Sequence, residues 1–182
     1  MVETERLILR QWQDCDFEPF AQMSADPKVM QYFPSCLSRQ ESDQLAAKIK
    51  ERIEENGFGF WAIEVKKTGQ FAGFTGLNVP GYELPFEPTF EIGWRLALEF
   101  WGQSIAYEAA KASLAFAFQN LNKEEIVSFT AAQNQPSRNL MERLGFTHNE
   151  ETFAHPMLPA DHALSQHVLY RLQKKDWIHH TK

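Results

Sequence analysis

Cysteine is scarce in this chain: Cys15 and Cys36 are the two among 182 residues. That is too few for a disulfide scaffold, and neither sits in a CxxC pair or beside histidines at metal-ligand spacing. Free thiols in a reducing compartment are the expected state, with a disulfide the alternative, and no metal site is expected. Clustered positive charge is also missing. The formal net charge is -6 and no stretch gathers many Lys or Arg. A nucleic-acid partner is not expected, because binding of that kind rests on clustered cations displacing counterions. An acidic chain attracts cationic partners such as amines, and a phosphate-bearing ligand would have to be held by local geometry rather than by the overall field. No window approaches 18 uninterrupted apolar residues, so no membrane span is expected. The opening MVETERLILR is charged and lacks the apolar centre of a signal peptide. With these absences the cytoplasm is the expected location. Internal repeats, linkers and low-complexity tracts are absent too.

Apolar residues make up 43% and charged residues 23%, with 15 Phe and 5 Trp, enough for one domain, residues 1–182, with a sizeable core or a lined groove. Arg6 to Arg10 reads as a first strand. Asp14 to Ser24 follows at helical spacing and breaks at Asp26-Pro27. Ser38-Arg39-Gln40-Glu41 has capping-box spacing, and Leu45, Ile49 and Ile53 continue that helix to Asn56-Gly57. Phe60 to Lys66 alternates, Lys67-Thr68-Gly69 is a hairpin turn, and Gln70 to Val79 returns, with Gly73 and Gly76 weakening it or marking a bulge. Pro80 to Pro88 is a loop. Thr89 to Leu96 is a strand with Phe90, Ile92, Trp94 and Leu96 on one face. Ser104 to Gln119 is the strongest helix, with small residues at Ala106, Ala110 and Ala117 that suit close packing on a sheet. Glu125 to Thr130 is a β-branched strand, Pro136 to Leu144 a short helix capped by Gly145-Phe146, and His167 to Leu172 a closing strand. Mixed strands and helices give an α+β or α/β domain.

Two junctions carry candidate chemistry. Phe100-Trp101-Gly102-Gln103-Ser104-Ile105-Ala106 leads into a helix N-terminus, where free backbone N–H groups and a partial positive charge hold phosphate without basic side chains. A plain tight turn is the alternative. Asn134-Gln135-Pro136-Ser137 opens the short helix, and capping by Asn134 or Ser137 accounts for either residue alone.

Together these segments resemble the GNAT superfamily of acetyltransferases. Glu91-Ile92-Gly93-Trp94-Arg95-Leu96, continued by Glu99 to Ala109, looks like its acetyl-CoA signature. Asn134 to Phe146, with its closing Leu-Gly-Phe, resembles its second cofactor segment. Glu5 to Arg10 is similar to the opening of the RimJ/RimL-like branch, which acetylates ribosomal-protein N-termini. The resemblance implies the GNAT fold: a mixed, mostly antiparallel sheet flanked by helices, with the strands Thr89–Leu96 and Glu125–Thr130 splayed apart at its centre. It implies acetyl-CoA (coenzyme A) as donor, its pantetheine arm running along the backbone of Trp94, Arg95 and Leu96 as an added strand would. Its pyrophosphate would rest on the N–H groups of Gly102, Gln103, Ser104, Ile105 and Ala106, with Trp101, Asn134 and Ser137 completing the cofactor site. The family usually has Arg or Gln where Trp101 stands and Gly where Ser104 stands. Ser104 keeps the donor and fails only if the position needs positive φ or room that a Cβ denies.

Amine attack on a thioester needs a neutral amine, an oxyanion stabiliser and a proton for the thiolate. Glu91 is the general-base candidate, sharing a strand face with Gly93 and Arg95; a cross-strand ion pair is the other reading of it. Many relatives use a Tyr of the second segment as the acid, and Met141 occupies that place here. Ser137 is the substitute thiol-side donor, with Tyr107 a weaker one. His155, His162 and His167 line an acceptor pocket or are ordinary loop and strand-edge residues. The resulting expectation is an N-acetyltransferase acting by direct transfer on the amine of a protein N-terminus or small molecule, with monomer and homodimer both open. The rival is a non-catalytic acyl-CoA-binding sensor or assembly domain on the same fold.

Overall fold

The computed structural model describes residues 1–87 and 89–180; Pro88, at the end of the proline-bearing loop, lies outside them. In chain order the elements are β1 (Val2–Glu3), β2 (Leu7–Arg10), α1 (Phe17–Ala25), α2 (Arg39–Asn56), β3 (Phe60–Val65), β4 (Gln70–Asn78), β5 (Glu91–Leu96), α3 (Ile105–Gln119), β6 (Glu125–Ala131), α4 (Gln135–Arg143), β7 (Thr152–Ala154), β8 (Gln166–Gln173) and α5 (Lys174–His180). They form one sheet in the order β1-β2-β3-β4-β5-β6-β8-β7, antiparallel except between β5 and β6.

Local chemistry explains the boundaries. Ser38 caps α2 through a reciprocal box with Glu41, and Gly57 ends it at φ 73, a left-handed turn that costs glycine nothing. The β3–β4 hairpin closes with Gly69 N–H on Val65 O at 2.8 Å. A bulge falls where the sequence puts Gly73: the register shifts between Ile63 and Glu64, and Phe71 and Phe74 both reach the α1 face. There Trp12 and Phe20 meet them, with Trp12 and Phe20 edge to face at 5.0 Å. On the opposite face α3 lies close to the sheet through Ala109, Ala110 and Ala117, all fully buried, and Phe116 meets Trp61 at 5.2 Å.

β1, β7 and α5 are the elements that the sequence pattern does not announce. The first two run for two and three residues, too short for any periodicity, and α5 is fixed by Trp177 packing on Phe118 at 5.3 Å. Asp14 to Asp16 is a 3-10 turn rather than the start of α1. Asp16 is there buried against Arg10, which grips it at 2.7 and 2.9 Å and also holds Glu64 at 2.6 Å.

One irregularity positions the site. Among the described residues β5 and β6 pair only at Glu91 and Val127. Val127 N–H donates to Phe90 O at 3.0 Å and the Ser128 hydroxyl donates to Ile92 O at 3.0 Å. Past Ile92 the strands part, as the family resemblance implies, and Gly93 to Leu96 present one backbone edge to an open wedge.

Candidate active site

The wedge opens into a cavity of about 680 Å³. Glu91, Trp94, Arg95 and Leu96 enter its lining from β5, Trp101, Gly102, Ser104, Ile105 and Ala106 from the following loop and α3, and Asn134 and Ser137 from the start of α4. Sequence positions 91 to 137 thus converge on one space. Gln103 is the exception. Its side chain donates to Glu99 O at 2.7 Å, outside the lining, which leaves only its backbone for any role in the loop.

The loop before α3 has the geometry that glycine favours. Gly102 takes φ 72 and Ser104 takes φ 60 with ψ 15, so the serine is held in the left-handed region. A Cβ at Gly102 would meet nothing within 4 Å, so the space above the loop is open. Ser104 makes no capping bond, and its carbonyl accepts from Glu108 N–H at 3.0 Å, so the amides of Ile105 to Tyr107 have no acceptor inside the helix. The chain's opening segment braces this end: Arg6 donates to Gln103 O at 3.1 Å and pairs with Glu108 at 2.6 Å. Trp101, 39% exposed, is fixed by its indole N–H on Leu96 O at 3.0 Å.

Across the wedge, Asn134 Oδ1 accepts from Ser137 N–H at 3.3 Å and its Nδ2 donates to Thr130 at 2.8 Å. Capping is therefore real, and it fixes the hydroxyl of Ser137 at the cavity wall. The Trp94 indole N–H donates to Ser137 Oγ at 3.3 Å. A hydroxyl that accepts there keeps its own proton free to donate. Met141 is buried at the same wall and offers no proton, and Tyr107 also lines the cavity beneath the Arg143 guanidinium, 4.8 Å from its ring.

Glu91 stands where the wedge closes. Burial pushes its carboxyl up to about 7, against the opposing pull of a hydrogen bond from Asn78 and the charge of Arg52. Asn78 Nδ2 donates to Glu91 Oε1 at 2.7 Å, and Arg52 donates to Asn78 Oδ1 at 3.1 Å. The cross-strand partner is thus a neutral amide, not the cation of an ion pair. Gly93, the next residue on that face, leaves a gap that a Cβ would close against the Phe60 ring at 3.1 Å.

Tyr82, which the sequence pattern did not single out, lies beside Glu91. Burial first, and the Glu91 charge second, push its hydroxyl up to about 12. Its oxygen lies 3.1 Å from His155 Nε2, while Met157 N–H donates to His155 Nδ1 at 3.2 Å. A neutral imidazole that accepts at Nδ1 carries its proton on Nε2, so His155 donates to Tyr82 and the phenol O–H is left for the cavity. His167 lines the same wall at 4.7 Å between ring centroids, and burial pulls it down to about 4. His162 is outside the lining; it accepts from Leu164 N–H at 3.1 Å within its own turn. Among the described residues no group of three or more His, Cys, Asp or Glu is placed to hold a metal ion. Cys15 and Cys36 are both free and exposed.

A splayed parallel pair, a left-handed loop at a helix start and a carboxyl at the closed end of the wedge make up the site, and one family model spans the residues that carry them. The model described as the acetyltransferase (GNAT) domain matches residues 6–147. The chain belongs to the GNAT acetyltransferase family. This acetyltransferase is 24% identical to the N-acetyltransferase YnaD of Bacillus subtilis (strain 168) over 176 residues, 97% of this chain and 98% of that one. It is 32% identical over 130 residues to the FsC-acetyl coenzyme A-N(2)-transacetylase of Aspergillus fumigatus, covering 69% of this chain and 54% of that one. The crystal structure of a GNAT-family acetyltransferase from Bacillus anthracis superposes with a TM-score of 0.78 at 20% identity, over 96% of this chain and 98% of that one. That last likeness shows the fold. The GNAT acetyltransferase is accordingly an acyltransferase enzyme, and among the described residues no helix is long and apolar enough to cross a membrane.

Proposed function

We propose that this enzyme transfers an acetyl group directly from acetyl-CoA to the amine of a protein N-terminus or small molecule, with Glu91 as general base. The observation that carries the reading is Glu91 itself: a largely buried carboxyl, raised by that burial to about 7 against the hydrogen bond from Asn78, in the same cavity as the open loop and Ser137. A base with that pKa is half-ionised at physiological pH and able to take an ammonium proton.

The chain offers a fit for acetyl-CoA. The amides of Ile105 to Tyr107, the open turn at Gly102 and the neighbouring backbone of Gln103 and Ser104 suit its pyrophosphate without a basic side chain. The backbone edge of Trp94, Arg95 and Leu96 that β6 leaves unpaired suits its pantetheine amides, apart from Leu96 O, which accepts from the Trp101 indole. Asn134 orients the α4 turn. When bound, acetyl-CoA supplies an activated thioester carbonyl. Glu91 Oε accepts the proton of the acceptor's ammonium, and Ser137 Oγ–H is free to donate on the thiol side. Both cysteines are exposed and neither lines the cavity, which favours direct transfer over a thiol-bound acyl-enzyme. Assignment to the RimJ/RimL-like branch rests on the opening residues Glu5 to Arg10, whose Arg6 braces the loop.

A thiol-release assay with acetyl-CoA over free amino acids, polyamines, aminoglycosides and N-terminal peptides tests this. Sustained release with at least one amine, lost in Glu91→Gln, is the expected result. Tight acetyl-CoA binding with no release across the panel would leave a binding domain and sink the catalytic reading.

A further inference from the structure

Arg95 is a largely buried group that this mechanism does not use. It lies on the same face of β5 as Glu91, four residues on, about 13 Å away at strand rise. Its guanidinium is 4.0 Å from the Phe33 ring centroid and 5.4 Å from that of Phe74. Nε and Nη1 are buried and hydrogen-bond to nothing among the described residues, and burial pulls the group down to about 10 while leaving it cationic. A guanidinium taken out of water is costly to leave without hydrogen-bond acceptors, and the contacts with the two rings satisfy none of its N–H donors. An anion would supply the missing acceptors. Arg95 lines the 680 Å³ cavity, so an anion seated there would reach it.

The other charges around that space point the same way. Glu91 is the one carboxylate among the described lining residues; facing it are Arg95, Arg143, the tyrosines 32, 82 and 107, and His155 and His167, both of which burial holds toward the neutral form. At neutral pH the lining therefore carries no net negative charge, although the whole chain carries -6. A second ammonium on an acceptor would find no counter-charge and would meet a guanidinium.

We infer that Arg95 is a specificity-determining residue and that the acceptor is a monoamine carrying a carboxylate, the amine at Glu91 and the carboxylate at Arg95, in preference to a polyamine, an aminoglycoside or an uncharged protein N-terminus. The inference rests on the acetyl-transfer reading for its chemistry, and on the cavity alone for the anion. Phe33, in the segment between α1 and α2, stacks on the guanidinium beside the cavity.

The test uses pairs matched in length: glycine, β-alanine, γ-aminobutyrate and ε-aminocaproate, each against its amide, with spermidine and a seryl-peptide amide as the other arms. Turnover is read by thiol release from acetyl-CoA. Binding is read separately, by titrating the CoA-saturated protein with the same acids, their N-acetyl products and the amides. For at least one spacer length the acid is expected to show kcat/KM and affinity tenfold or more above its amide. Arg95→Gln brings that ratio toward one, and Arg95→Lys, which keeps the charge without the planar fork, restores part of it. Circular dichroism and the acetyl-CoA titration establish that both variants are folded. Acids that bind no better than amides at every length overturn the inference even if the amides are acetylated, as does a ratio that survives in Arg95→Gln or spermidine emerging as the best substrate. Acids that bind through Arg95 without any thiol release uphold the anion site and overturn the acetyl-transfer reading instead.

Discussion

At the residue scale, Ser104 and Glu91 make opposite uses of their surroundings. Ser104 holds a left-handed conformation that costs a residue with a Cβ about 1 kcal/mol. Ser104→Gly is therefore expected to raise stability by about 1 kcal/mol and to leave acetyl-CoA binding equal or tighter. Ser104→Pro, whose ring fixes φ near −65°, is expected to abolish binding. Calorimetric titration of the three proteins decides it; equal affinities would place the phosphates away from this loop. Glu91 is a destabilising group kept for its chemistry. Its pKa rises from 4.5 to about 7 on folding, so the folded state binds that proton more tightly than the unfolded chain does. Stability from this site is full below pH 4.5 and falls as pH climbs through 7. Glu91→Gln is thus expected to melt above the wild type at pH 8 and level with it at pH 4, while losing about 10²–10⁴-fold in rate, a loss that narrows at high pH where the amine is already neutral. A variant that melts below the wild type at pH 8 would mean that the carboxylate is structural. Much of this was legible in the sequence: the position of Glu91 on its face, the junction at Gly102 to Ala106 and the α4 cap follow from alternation and turn chemistry. The partners Asn78, Arg52 and Tyr82 were not, because each sits in another strand, helix or loop and no local spacing links them to Glu91. The left-handed φ of Ser104 was legible only as a condition, raised by the glycine the family usually has at that place and not announced by serine itself.

At the element scale, two strands illustrate how sequence and packing divide the work. Gly93 separates Glu91 from Arg95, and a Cβ there would press the Phe60 ring at 3.1 Å. Gly93→Ala is expected to raise the acceptor KM about tenfold, the rough worth of one misplaced methyl group in a pocket, with acetyl-CoA affinity unchanged. Steady-state kinetics with the acceptor and the donor varied in turn would show it, and an equal rise in both KM values would count against a role confined to the acceptor. The 3-10 turn before α1 depends on a different interaction. Asp16 is buried in a two-pronged contact with Arg10, which also holds Glu64 on β3. Asp16→Ala strips one carboxylate from a buried cation and is expected to cost about 3–5 kcal/mol in urea unfolding; a cost under about 1 kcal/mol would show that Glu64 suffices. Strands with clean alternation and helices with caps were readable to within two residues. β1 and β7 were not, because strands of two or three residues take their conformation from the neighbour they pair with.

At the scale of the whole molecule, the acidic net charge and the site diverge. The -6 balance suggests a cationic partner, yet the cavity gathers one carboxyl, two guanidinium groups and histidines held toward the neutral form. Net charge acts over the surface, whereas the cavity's potential is set by the few groups that face it. Acetyl-CoA at a hundred times its Kd is expected to stabilise the native state by about 2.7 kcal/mol, or roughly 5–10 °C in melting temperature for a domain of this size; no shift would remove the donor site proposed here. The parting of β5 and β6 past Ile92 has a wider consequence. It places two unpaired strand edges at the centre of a sheet rather than at its margin, where charged or short strands usually guard against stray pairing. The empty enzyme is then the form open to β-strand insertion by another chain, and a filled wedge closes that route. Donor supply would therefore govern how well the protein resists aggregation as well as how fast it turns over.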